Sequence, residues 1–427
     1  MIVSKLIEKA MKKAQGAQAW LGQSESVDVS FENDRLKSAE SSQRTNMGIK
    51  VILNGKVGSS YTTDINDIYG VVNRALESAE FGSPAHFEFP KPSEGKDVKI
   101  YDEAVLPVTK PEMVQIGEEM LTLVKDYNSD IIVGANVGKS LHKGEFANSN
   151  GIEFSDESTD FGLGVNGQWI RGTDILWIGH GFGWKKREID HVKVTKKAIE
   201  LFKMAEKIAP IKSGNIPVIF TPEGLYVLLL SLQLGFNGKN VFLGASPLAG
   251  RIGEKIADER FSITDNGLID YAGNSGKFDG EGVPHKITPL IEKGVIKNFL
   301  YDLDTAGRAG TKTTGHGVGC NPTNTVIAEG DTSFEDMVKN TKDGIIVHDV
   351  MGLGQGNPIS GEFSVNVQLG YKVKNGEIVG RVKDVMLAGN TYDALNNIMA
   401  IGDKAEWAGG SLLAPYVQIA SLSVVAK

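Results

Sequence analysis

The sequence predicts a two-domain α+β protein, with an N-terminal α+β domain holding a small antiparallel sheet over residues 1–210 and a β-rich domain over 211–427. Three observations carry that expectation. A chain of 427 residues exceeds the usual size of one compact domain. Apolar residues recur at helical spacing through much of the first half and in short β-type runs through the second. The 51 glycines against 14 prolines fall in isolated turn-like positions, as many short strands with tight turns require.

Ile2, Leu6, Ile7, Ala10 and Met11 share one stripe, so the spacing predicts a helix over 2–16. The period then becomes two. Val27, Val29 and Phe31 alternate with Asp28, Ser30 and Glu32, and Ile49, Val51 and Leu53 lead into the hairpin signal Asn54-Gly55. A second helix is predicted over 65–80, with Ile65, Ile68, Val72, Ala75, Leu76 and Ala79 inward. A third starts at Pro111, a favoured first helical residue. Residues 131–133, 141–148 and 152–154 are strand-like, with Asn150-Gly151 as a second hairpin signal. A helix over 191–207 follows, and Pro210 with Ser213-Gly214-Asn215 marks the domain junction. Beyond it lie the β runs 218–220, 287–295, 371–373, 382–387 and 417–425, with one helix opening at Thr221-Pro222-Glu223.

The net charge of −8 argues against nucleic-acid binding, which needs clustered cations. The one basic knot, Lys185-Lys186-Arg187, is followed by Glu188 and Asp190 and reads as solvated surface. The single cysteine, Cys320, excludes internal disulfides and a multi-thiolate zinc site and is compatible with a reducing compartment. The first residues show helical periodicity and charge, with no signal-peptide core. The longest apolar stretch, 225–234, is too short to cross a membrane. A soluble, cytoplasmic protein is expected.

The candidate chemistry is sparse. None of the seven histidines stands three, four or five residues from another, so no helical zinc pair exists. His316 and Cys320 share a Gly-rich loop, which raises a Cys–His nucleophile, but such a pair still needs an orienting group and an oxyanion site. A small apolar thiol packed in a loop is the simpler reading. His348 and Asp349 are neighbours on a strand and should face opposite ways, so they read as structural. Gly352 to Asn357 suggests a backbone nest for an anion, yet no helix carrying Lys-Ser or Lys-Thr follows.

Five stretches in one order resemble landmarks of the TldD/PmbA family: 250–256 (GRIGEKI), 278–284 (FDGEGVP), 290–302 (LIEKGVIKNFLYD), 313–317 (TTGHG) and 322–325 (PTNT). The strand at 32–37, Gly48–Val51 and Asn54–Lys56 are similar to its first domain. The resemblance implies a cytoplasmic, two-domain zinc metallopeptidase system of paired subunits. In its catalytic branch a helix upstream of the Gly-Arg-Ile-Gly segment carries His-Glu-x-x-x-His, and a C-terminal cysteine completes the site. Imidazoles and a thiolate hold zinc there, and the glutamate takes a proton from the metal-bound water.

Here the corresponding helix, 224–238, has no histidine or glutamate, and 401–410 has no cysteine. The double loss is similar to the PmbA/TldE-like branch, the subunit without the zinc motif. The resemblance therefore implies no catalytic residue and no cofactor in this chain, with zinc in a TldD-like paralogue that pairs with it as a heterodimer. A homodimer and a peptide substrate are the other expected partners. Substrate- or partner-facing loops are expected at 309–320 and 351–362, through Thr313, Thr314, Gly315, His316, Gly317, Gly352, Gly354 and Gly356. Two alternatives stay open: an autonomous hydrolase around His316, Cys320 and His348, and a peptide-binding protein without catalysis.

Overall fold

The computed structural model describes residues 1–426 of the α+β chain. Helix α1 (Ile2–Ala10) buries Val3, Leu6 and Ala10. It stops six residues short of the predicted end because Gly16 already begins strand β1 (Gly16–Glu32). Then come β2 (Arg35–Leu53) and β3 (Lys56–Thr62), turned at Asn54 and Gly55. Their φ values of 51° and 73° are the left-handed pair a two-residue hairpin demands. Helix α2 (Ile68–Glu80) is capped by Asp67, whose carboxylate accepts from the Gly70 N–H. Helix α3 (Lys110–Tyr127) is capped by Thr109 and carries Pro111 in its first turn. Strands β4 (Ile131–Asn148), β5 (Glu153–Arg171) and β6 (Asp174–Trp184) lead to α4 (His191–Met204), capped by Asp190.

The six strands form one antiparallel sheet in the order β3-β2-β1-β4-β5-β6. The sheet is larger than the short apolar runs suggest. Its strands reach 19 residues, and their polar middles, such as Ser24 to Asp28, are partly or fully exposed. In β1, β2 and β4 it is mainly the strand ends that are covered, whereas β5 is buried at every second residue from Thr159 to Gly167. Helices α1 and α2 pack on Ala17, Ala19, Met47, Ile49 and Val51, while α3 and α4 pack on Val29, Phe31, Val133, Ala135 and Val165.

The second half runs β7 (Gly214–Phe220), α5 (Tyr226–Phe236), α6 (Gly238–Phe242), β8 (Ile263–Asn266), β9 (Ile287–Glu292), β10 (Val295–Ile296) and α7 (Leu303–Arg308). It continues through β11 (Thr325–Ile327), α8 (Phe334–Lys339), β12 (Asp343–Met351), β13 (Glu362–Lys374) and β14 (Glu377–Arg381). The last elements are β15 (Val385–Asn390), α9 (Thr391–Asn396), β16 (Ile398–Ala408) and β17 (Leu412–Ala426). The run predicted over 287–295 is a hairpin, turned at Lys293 and Gly294 with φ of 48° and 77°.

Strands β7, β12, β13, β15 and β17 close on themselves, because β17 pairs with both β15 and β7. The ring encloses a core containing Val218, Phe220, Val347, Val365, Leu387 and Val417, with α5 packed against it. The two halves share packing at α4. Its Leu201 and Phe202 belong to one apolar cluster with Ile346 and Tyr371, and the Tyr371 hydroxyl donates to the Leu201 carbonyl at 3.0 Å.

Candidate functional site

Helix α5 occupies the segment where the resemblance places a zinc-binding helix. It is nearly uniformly apolar, as a helix covered on most sides must be. Leu228, Leu229 and Leu232 are each 1% exposed, whereas Leu230 and Leu234 are half-buried. The loop after β12 lies beside Leu230: a Cβ on Gly354 would stand 3.7 Å from its Cδ2. The helix start is fixed to the ring, since Gly224 rests on the Val347 carbonyl with no room for a side chain. The Tyr226 hydroxyl donates to the Ala408 carbonyl at 3.4 Å, so α5 and the 401–410 segment are neighbours. The residues do not fit zinc. Over 224–238 only Tyr226, Ser231, Gln233 and Asn237 carry polar side chains, and none is a His, Cys, Asp or Glu that could ligate the metal. Among the described residues no group of three or more His, Cys, Asp or Glu side chains is placed to hold a metal ion.

The 313–320 loop is tied down. His316 is 3% exposed, and its Nε2 lies 2.7 Å from Asp265 Oδ2 and its Nδ1 2.9 Å from Thr314 Oγ1. Asp265 also accepts from the Thr323 N–H and hydroxyl, at 2.6 and 2.7 Å. Thr313 and Thr314 both donate to the Tyr301 carbonyl. Gly315 and Gly317 press against Pro284 and Glu281, leaving Val318 and Gly319 as the exposed tip.

Cys320 is fully buried, and its Sγ accepts from the Asp302 N–H at 3.2 Å. Burial pushes its thiol up, away from the thiolate a nucleophile needs. It meets His316 only through a backbone hydrogen bond of 3.1 Å. Thiol and imidazole form no dyad, and His348 stands elsewhere, on β12. In the other loop, Gly352, Gly354 and Gly356 adopt φ of 86°, 88° and 92°, a backbone path that disfavours any other residue.

His348 has a setting that its sequence neighbours did not reveal. A bulge sets Val347 opposite Gly370 and Asp349 opposite Leu369, leaving His348 without a cross-strand partner. His348 Nδ1 lies 3.1 Å from Thr221 Oγ1 and 3.8 Å from Glu223 Oε2. The other oxygen of Glu223 is 3.9 Å from Nδ1 of His180, on β6. Burial lowers the pKa of both imidazoles, that of His348 to about 4, and raises that of Asp349. The carboxylate–imidazole separations exceed hydrogen-bond length. Two neutral imidazoles thus flank one carboxylate where the sheet of the first half meets the ring. No spacing signal could have found the group, because its members come from β6, the loop before α5, and β12.

The sequence profile of the PmbA/TldA metallopeptidase C-terminal domain matches residues 213–426, and that of domain 1 of the same family matches 21–79. The chain belongs to the PmbA/TldD metallopeptidase family. Metalloprotease PmbA of Escherichia coli O157:H7 is 25% identical, over 98% of this chain and 95% of that protein. A Methanothermobacter thermautotrophicus metalloprotease is 27% identical over 89% and 86%. The fold matches TldE from Thermococcus kodakarensis with a TM-score of 0.93 over 100% of both chains at 21% identity, a likeness of fold alone.

Proposed function

We propose that this chain is the non-catalytic subunit of a TldD/TldE-type zinc peptidase that degrades or processes peptides in the cytoplasm. A zinc-bearing paralogue supplies the metal site, and this chain supplies wall, stability and substrate contacts. The observation that carries the reading is α5. Residues 224–238 include no His, Cys, Asp or Glu, and the buried Leu228, Leu229 and Leu232 commit the helix to packing. The 401–410 segment beside it offers no thiolate. The tied-down His316 and the masked Cys320 give the autonomous-hydrolase alternative no nucleophile.

The test is co-expression with the zinc-bearing paralogue of the same genome, followed by zinc analysis and peptidase assays of each chain and of the pair. The expected result is one zinc per heterodimer, held by the paralogue, and hydrolysis by the pair. Zinc-dependent hydrolysis by this chain alone would overturn the reading.

A further inference from the structure

Residues 278–284 form a loop that fastens the two halves together. From the first half, the Phe154 ring stacks on Phe278 with centroids 4.8 Å apart, and Gln18 Nε2 of β1 donates to the Gly280 carbonyl at 3.2 Å. Lys50 of β2 stands 3.6 Å from Glu281 Oε1. The loop also seats the exposed tip at 317–319. Asp279 Oδ2 accepts from the Gly317 N–H at 2.8 Å, and Asp302 Oδ2 from the Gly319 N–H at 3.1 Å. Glu281 lies under the tip, since a Cβ on Gly317 would stand 2.5 Å from its Oε2.

Three carboxyl groups thus hold one short segment, and all three are more than nine-tenths buried. Asp279 accepts three backbone N–H groups and Asp302 two, as buried anions require. Glu281 accepts one, from Leu303. The charged groups facing it are Lys50 from β2, Asp279 from its own loop and Asp302 ahead of α7. His285 faces Asp279, and His316 is turned to Asp265. An ionised Glu281 is therefore a third buried negative charge against one lysine. Gln18, which holds the adjacent Gly280, leaves its own Oε1 buried without a partner among the described residues, so this side of the loop also favours a proton over another charge.

Burial, the largest influence, holds the Glu281 carboxyl up at about 7. Gly317 stacks directly on that carboxyl, and the tip beyond it is exposed, with Val318 at 65%. Lifting the tip is a short route by which water reaches an ionised Glu281.

We propose that Glu281 is a pH-sensitive latch: protonated, it keeps residues 317–319 seated on the loop that joins the halves, and ionised, it gains water by releasing them. The tip is one wall of a cavity of about 390 Å³ that is also lined by Ser158 of β5, Asn274 and His285, so the latch governs access to that cavity. The inference goes beyond the subunit reading above and does not depend on it. The seated tip binds the proton more tightly than the released one, so release is least favoured below pH 4.5 and gains as pH rises from 4.5 to 7.

The test is hydrogen–deuterium exchange of the full chain at pH 6 and pH 8, with each rate corrected for the intrinsic chemical rate. The opening constant at the 317–319 amides should rise about tenfold between the two, while the amides of β7 and β17 hold steady. Glu281→Gln, which cannot ionise, should show no rise, and Lys50→Met, which removes the charge favouring the anion, should move the rise to higher pH. Thermal melts at pH 6 check that each variant folds, and the parent measurement stands without them. A tip whose corrected exchange is equal at pH 6 and pH 8 overturns the proposal. So does an equal rise in β7 and β17, or a rise that survives in Glu281→Gln.

Discussion

Nη2 of Arg381 lies 2.6 and 2.7 Å from the two carboxylate oxygens of Asp174, tying the end of β14 to the start of β6. Burial alone would push that carboxyl up. The hydrogen bonds and charge of Arg381, with Lys383 and Arg171 behind it, bring it instead to about 2 from an ordinary 3.8. Arg381→Met should cost about 2–4 kcal/mol at pH 7, somewhat less than a fully orphaned buried charge because two other cations remain. The contribution is whole above pH 3.8 and fades as pH falls through 3.8 toward 2, so the urea midpoints of variant and parent should converge in acid. An unchanged midpoint at pH 7 would show that the junction does not depend on this pair.

His348 gives the opposite kind of slope from most histidines. Its folded pKa of about 4 lies below the ordinary 6.5, so the unfolded chain takes up the proton first as pH falls. Stability is whole above pH 6.5 and drops by about 3 kcal/mol between 6.5 and 4. His348→Gln should remove that part of the pH dependence, read as the difference between parent and variant urea curves across this window. A difference that stays flat contradicts the neutral buried imidazole.

Glu281 should act in the reverse direction. It is 2% exposed, its Oε2 accepts from the Leu303 N–H at 2.8 Å, and Lys50 stands 3.6 Å from Oε1. Burial raises its pKa from 4.5 to about 7 against the pull of that hydrogen bond and of Lys50. Stability carried by the neutral acid is whole below pH 4.5 and is lost as pH rises from 4.5 to 7. Glu281→Gln, which keeps an acceptor for Leu303, should be about 1–3 kcal/mol more stable than the parent at pH 8 and nearly equal at pH 4. A variant less stable than the parent at pH 8 would mean that the Lys50 ion pair outweighs desolvation.

Restoring the catalytic motif should not restore catalysis. Leu229→His, Leu230→Glu and Leu234→His together supply two imidazoles and a base but no thiolate, and Leu229 is 1% exposed. Burying polar groups there without partners should cost roughly 1–3 kcal/mol each. A lower melting temperature and no cleavage of a fluorescent peptide are expected; robust zinc-dependent cleavage refutes this account.

The Cys320 thiol should stay silent in the folded chain. It is fully buried and burial raises its pKa, so a thiol reagent should react with it only after denaturation. In the assembled pair, Cys320→Ser should keep activity within a few-fold, as no nucleophile is lost. Fast labelling of the native chain, or a loss of several orders of magnitude, would reopen the nucleophile reading.

Local chemistry was legible in the sequence. Asn54-Gly55 demanded a left-handed hairpin and formed one, and Pro111 lies in the first turn of its helix. Strands whose burial is irregular were not legible. In β16, register shifts between Ile398 and Ala400 and between Ile401 and Ala405 break the alternation that marks a strand. The meeting of His180, Glu223 and His348 was invisible for another reason. It depends on β6 docking against the ring, a tertiary event that no local period encodes.

The closed ring also sets a tempo. It closes only when Val218 of β7 meets Ile419 of β17, far apart in the chain, whereas β2 and β3 meet across a two-residue turn. Hairpins form in microseconds, while a long loop must lose its chain entropy before any distant pairing rewards it. The first sheet therefore has local nuclei to start from, and the ring holds the slow step of folding. Until that step is complete, β7 and β17 carry unsatisfied edges, and crowded nascent chains are most exposed to pairing with one another there.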